Sequence, residues 1–183
     1  GDSFYIVTNE NSQNFKLMKT PVTATEKENW QEIIGNREDT LLEHVDAFEN
    51  YIVLHERKGG LKQLRISKPD GHSEVRHVSF PDPTYEVIVD VNPEFHTNLL
   101  RLRYSSLTTP FSTVDFHMDS GEWELKKEYQ VPGGYDKSQY AVEYIHATAA
   151  DRRKIPISLA YKKGLKKDGQ NPTLLYGYGA YGA

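Results

Sequence analysis

Apolar residues along this chain fall in short runs separated by turn residues, and helical spacing is not sustained for more than two turns. The chain is therefore expected to be mainly β. The run FYIVT (residues 4–8) opens the series, with further strands expected near 15–20 and 30–34. YIVLHE (51–56), then Gly59-Gly60, then LKQLRIS (61–67) predicts a hairpin, because tight hairpin turns need the positive φ that glycine supplies. Pro69-Asp70-Gly71 turns the chain again. Thr25 and Glu28 stand at capping-box spacing ahead of Trp30, Ile33 and Ile34, yet the register of a longer repeat makes residues 30–34 an outer strand.

Shifting the hairpin by fifty residues superposes Leu54 on Tyr104, Leu61 on Phe111, Leu64 on Val114, Ile66 on Phe116 and Gly71 on Gly121 without a gap. A shift of forty-six in the other direction places Tyr5-Ile6-Val7 on Tyr51-Ile52-Val53, with one gap in the following turn. A period of ~40–50 residues with about four strands per unit is the mark of propeller blades. Three units result: a first one lacking its innermost strand, a second over about 41–78 and a third over about 85–129. A β-sandwich also repeats its hairpins and stays open as an alternative on this pattern alone. About three blades do not close a ring of the usual ~4–8, so unpaired strand edges are expected to stay open to self-association.

Val131-Pro132-Gly133-Gly134-Tyr135-Asp136 breaks the repeat with the composition of a domain boundary. Strands are expected again over 140–148 and 155–162, joined by a charged turn at 149–154 in which Arg152-Arg153-Lys154 reads as a solvated tip. Residues 172–176 (PTLLY) read as a short buried strand running into the glycine loop GYGAYG. Such a loop at the end of a buried strand is where an α/β sheet places ligands and backbone donors, although a GYG stretch alone is equally an ordinary turn.

Composition narrows the function classes. A formal charge of −4, with no cluster of lysine or arginine above background, gives no field for nucleic acid. No apolar run reaches the ~20 residues of a membrane span. Cysteine is absent, which excludes disulfides and thiolate metal sites and suits a reducing, cytoplasmic setting. None of the seven histidines forms an HxH or HExxH pair, and no cofactor is expected. Gly71-His72-Ser73-Glu74-Val75 approaches a nucleophile elbow but has valine where the second glycine belongs and sits in a blade turn. The strand-like start and the ending inside a glycine loop together suggest a fragment.

Blades, a Pro-Gly linker, a hairpin and a strand ending in YGYGAYG occur here in the order found in the prolyl oligopeptidase family of serine peptidases, which the whole chain resembles. EYIHATAAD (143–151) with IPISLAYK (155–162) is similar to the stretch leading into that family's peptidase domain. RYSSLTTP (103–110) is similar to a segment of its propeller. GAYG (179–182) stands where the prolyl-specific branch has GGFN, which makes the oligopeptidase B branch the nearer likeness.

The resemblance implies a partial β-propeller over residues 1–131, followed over 132–183 by the linker and first strands of an α/β-hydrolase domain. It implies a parent protein that cuts oligopeptides after lysine or arginine, with the propeller limiting substrate size. The family's serine, aspartate and histidine lie downstream of the glycine loop, so this chain without the remaining catalytic domain is expected to be inert. By the same resemblance Tyr178 would donate to the oxyanion hole and Tyr181 would line the substrate pocket. A propeller binding module without peptidase activity, or a peptidase specific for proline or for acylated termini, remain the competing readings.

Overall fold

The computed structural model describes residues 1–178. Thirteen strands pair into four antiparallel sheets, and each sheet is built from strands consecutive in sequence. The first sheet holds β1 (Ser3–Thr8), β2 (Lys16–Pro21) and β3 (Gln31–Ile34). The second holds β4 (Thr40–Ala47), β5 (Ile52–Lys58), β6 (Leu61–Ser67) and β7 (Arg76–His77). The third holds β8 (Glu86–Val89), β9 (Leu99–Ser106), β10 (Thr109–His117) and β11 (Trp123–Glu128). A two-stranded ribbon of β12 (Tyr140–Thr148) and β13 (Lys154–Lys162) completes the set. In repeat register β1 corresponds to β5 and β9, so the first sheet does lack its leading strand. Trp30 lies just outside β3, after a 3-10 turn over Lys27–Asn29 whose N-cap, Glu26, makes no side-chain capping bond.

Burial separates successive blades from a two-sheet sandwich. In β5 the consecutive residues Ile52, Val53 and Leu54 are all fully buried, which requires cover on both faces of the sheet because alternate side chains point to opposite sides. Ile52 and Leu54 join Leu17, Ile34 and Leu42 in a core shared with the first sheet. Val53, Leu64 and Ile66 join Leu100, Leu102, Tyr104, Val114 and Phe116 in a core shared with the third. The middle sheet is thus packed between its two neighbours. β9 shows the contrast: Leu100, Leu102 and Tyr104 are buried, whereas Leu99, Arg101 and Arg103 between them are exposed. One face of the third blade is uncovered among the described residues. Its buried carboxylate, Asp115, is held there by a bidentate pair with Arg101 at 2.8 and 2.9 Å.

The equivalent turn glycines Gly71 and Gly121 have φ near +80° and are each approached by the outer strand of the preceding blade. A Cβ on Gly71 would lie 2.3 Å from Ile33 Cγ2 of β3. A Cβ on Gly121 would lie 1.9 Å from Arg76 Nη1 of β7, whose guanidinium donates to Asp119 O at 2.8 Å. Positive φ alone makes Gly121→Ala destabilising by about 1–2 kcal/mol, and the arginine end can swing aside. Ile33 is fixed by its β-branched rotamer, so overpacking adds ~1–3 kcal/mol at Gly71→Ala. Urea midpoints should fall in both variants, further for Gly71→Ala. The reverse order would refute this account of blade spacing.

Candidate functional site

The last blade and the linker meet around one buried carboxylate. Asp82 lies in the connection between the second and third blades and is only 9% exposed. Its Oδ2 accepts hydrogen bonds from Tyr104 Oη of β9 at 2.8 Å and Thr109 Oγ1 of β10 at 2.7 Å. Lys137 reaches it from the linker, with Nζ 3.0 Å from Oδ1 and 3.2 Å from Oδ2. Lys137 Nζ also donates to Thr109 Oγ1 at 2.5 Å. Burial pushes the Asp82 carboxyl up, but the bonds from Thr109, Tyr104 and Lys137 outweigh it, and the group titrates below the usual carboxylate range. Burial and the neighbouring Asp82 charge together raise the Tyr104 phenol well above its ordinary value.

A second linker residue docks beside this network: Tyr135 Oη donates to Thr108 O at 2.9 Å. Asp136 Oδ1 accepts from Ser138 N at 2.9 Å and so caps the 3-10 turn Lys137–Gln139 that carries the lysine. Between the linker and the turn joining β9 to β10 lies an apolar-walled cavity of about 350 Å³, lined by Leu107, Thr108, Pro110, Val131, Tyr135 and Tyr140.

The ribbon then packs back on the propeller. Tyr144 Oη of β12 donates to Gly59 O at the tip of the second blade's hairpin. Thr84 and Ser158 share a hydroxyl hydrogen bond at 2.5 Å. Gly60 is approached so closely that a Cβ there would lie 2.9 Å from Pro156 Cγ of β13. Tyr85 Oη donates to Lys62 O at 2.9 Å, and burial, with Tyr144 nearby, pushes its phenol up to about 12.

The run leading into the glycine loop departs from the sequence expectation. Residues 172–176 form no strand, and Leu174, Leu175 and Tyr176 are 92%, 86% and 84% exposed. The run is apolar, but burial needs sheet neighbours, and none flanks it among the described residues. Tyr178 is also largely exposed, and no described residue hydrogen-bonds its hydroxyl. Tyr181 lies outside the described residues. Tyr178 shares no hydrogen bond with the buried network among the described residues. Of that network the sequence singles out only the segment RYSSLTTP, as a likeness without a role; in the structure Tyr104, Thr108 and Thr109 each have one. Asp82 and Lys137 carry no local signal, since they are brought together across 55 positions of chain.

Stacked sheets of three, four and four strands, with a linker and ribbon folded back on the last two, define a partial β-propeller. Over residues 1–129 the sequence matches the family described as prolyl oligopeptidase, N-terminal β-propeller domain, and the chain belongs to that family. Among curated relatives it is 37% identical to dipeptidyl aminopeptidase BI of Pseudoxanthomonas mexicana, across 100% of the chain and 25% of the relative. It is 32% identical to Protease 2 of Moraxella lacunata, across 100% of the chain and 26% of the relative. Among solved structures, oligopeptidase B from Trypanosoma brucei with covalently bound antipain superposes with a TM-score of 0.84 at 32% identity, over 98% of this chain and 26% of that one. The chain thus spans about a quarter of the length of the relatives it matches.

Proposed function

We propose that the protein carrying this chain is a serine peptidase of oligopeptides that cuts after lysine or arginine, with the propeller restricting which substrates reach the reaction chamber. The carrying observation is that likeness to named peptidases continues past the propeller match at residue 129 and through the linker, ribbon and glycine loop. In this reading residues 1–131 are propeller and 132–183 begin an α/β-hydrolase domain. Tyr178 supplies an oxyanion donor and Tyr181 lines the substrate pocket. A narrow pore through stacked blades admits an extended peptide and rejects a folded protein, so size selectivity needs no specific contacts. The 183-residue chain alone has no peptidase activity, and its unpaired edges favour self-association.

A second reading, removal of dipeptides from free amino termini, is favoured by the higher identity to dipeptidyl aminopeptidase BI than to Protease 2. A fluorophosphonate probe should label the intact protein and leave the isolated chain unlabelled. Turnover of an amino-blocked arginyl amide by the intact protein is the expected result. Turnover confined to dipeptidyl amides with a free amino terminus would establish the second reading. No labelling and no turnover would remove both in favour of a binding module.

A further inference from the structure

Proline and two glycines make residues 131–136 look like a free tether between two units, yet the structure ties this segment down at its C-terminal end. Tyr135 bonds the backbone of the turn between β9 and β10, and Lys137 inserts its charge against a carboxylate that is nine-tenths buried. Asp82 is already committed to Tyr104 and Thr109 of the third blade, so the lysine meets a preoriented acceptor rather than a mobile surface group. Immediately beyond, Lys163 N donates to Gln139 O at 2.7 Å, joining the end of the ribbon to the latched turn. The ribbon itself touches the second blade through Tyr144 and the interblade connection through Ser158. Past residue 163 the hydrogen bonds of the described chain go to the ribbon or to the segment itself: Lys167 donates to Glu143, and Asn171 to Lys166 O.

We propose that Lys137 and Asp82 form a latch that fastens the linker to the third blade, so that propeller, linker and ribbon move as one body and lifting of the linker is resisted where the half-exposed lysine meets the buried carboxylate. Loss of the lysine leaves a nine-tenths buried carboxylate with only the hydroxyls of Tyr104 and Thr109 to stabilise its charge, which costs more than breaking an exposed ion pair. The proposal rests on residues 132–183 leading into the peptidase domain, and it gives that junction a specific fastening.

Amide hydrogen exchange in the intact protein tests it without using activity, so its failure is distinct from failure of the peptidase assignment. The informative amides are Ser138, Gln139 and Tyr140, which are bonded to Asp136 or to Lys137 O only while the 3-10 turn is formed. Lys137→Met and Asp82→Asn should each speed their exchange by about tenfold or more, while amides of β5 and β6 keep their protection. In the double variant the lysine substitution should add almost nothing, because its partner is already gone. Unchanged exchange in Lys137→Met, or effects that simply add, would overturn the latch. Should Asp82→Asn fail to fold, Lys137→Met still decides, since that side chain is about half exposed and lies outside the core.

Discussion

Phe116→Ala is expected to destabilise the chain by about 3–5 kcal/mol, the range for truncating a buried phenylalanine in a core that collapses poorly. Phe116 on β10 is 2% exposed and packs edge-on to Trp123, with ring centroids 5.8 Å apart. Around it lies an aromatic group in which Phe80 stacks on Tyr85 at 4.1 Å and on Tyr104 at 5.9 Å. These rings fill the space between the second and third blades, so the cavity left by the alanine is walled by two sheets that cannot both move inward. Leu125→Ala tests the same face at the outer edge strand β11, where Leu125 pairs with Val114 and the side chain is 60% exposed, and should change stability by no more than ~0.5 kcal/mol. Urea denaturation of both variants checks the pair. Equal losses would mean that β10 and the outer strand β11 are equivalently buried, which the blade arrangement forbids.

The repeat was legible because propeller packing imposes the same demand at the same place in each unit. Leu54 and Tyr104 are each buried against the preceding sheet as their fifty-residue register requires, whereas Leu64 and Ile66 meet Val114 and Phe116 in one core from its two sides, because the irregularity between Thr109 and Ser112 shifts the register of β10. Gly71 and Gly121 share a positive φ for the same reason. The hairpin after Tyr51 turns at Gly59-Gly60 as expected, with β5 continuing to Lys58. What separates blades from a sandwich was less visible. The consecutive buried run in β5 and the clean alternation in β9 differ only in what covers the second face, which is a property of neighbouring sheets and not of the strand. Residues 172–176 depart from expectation for the converse reason: Leu174 and Leu175 have strand character, but local propensity buries nothing without sheet partners. The latch was the hardest to foresee. A lysine after a Pro-Gly linker and an aspartate among Ser, Pro and Thr residues look like solvated turn composition, and only the turn carrying Thr108 and Thr109 brings them into one polar cluster.

If Tyr178 has the proposed oxyanion role, Tyr178→Phe is expected to lower kcat of the intact protein on a peptide amide by about 10²–10³ and leave KM nearly unchanged. The substitution keeps the ring and removes only the hydroxyl. A donor aimed at the oxygen that becomes negative in the tetrahedral intermediate is worth ~2.7–4 kcal/mol, most of it gained as the charge develops and little in the substrate complex. In the described chain that hydroxyl has no partner and the side chain is 59% exposed, so no structural bond within residues 1–178 competes with the catalytic role. Stability should therefore be untouched, which distinguishes loss of a transition-state contact from loss of folding. Tyr176→Phe, two residues earlier and 84% exposed, provides the control with the same chemistry removed from the same segment. A wild-type kcat in Tyr178→Phe, or an equal fall in Tyr176→Phe, would strip Tyr178 of the oxyanion role while leaving the propeller intact.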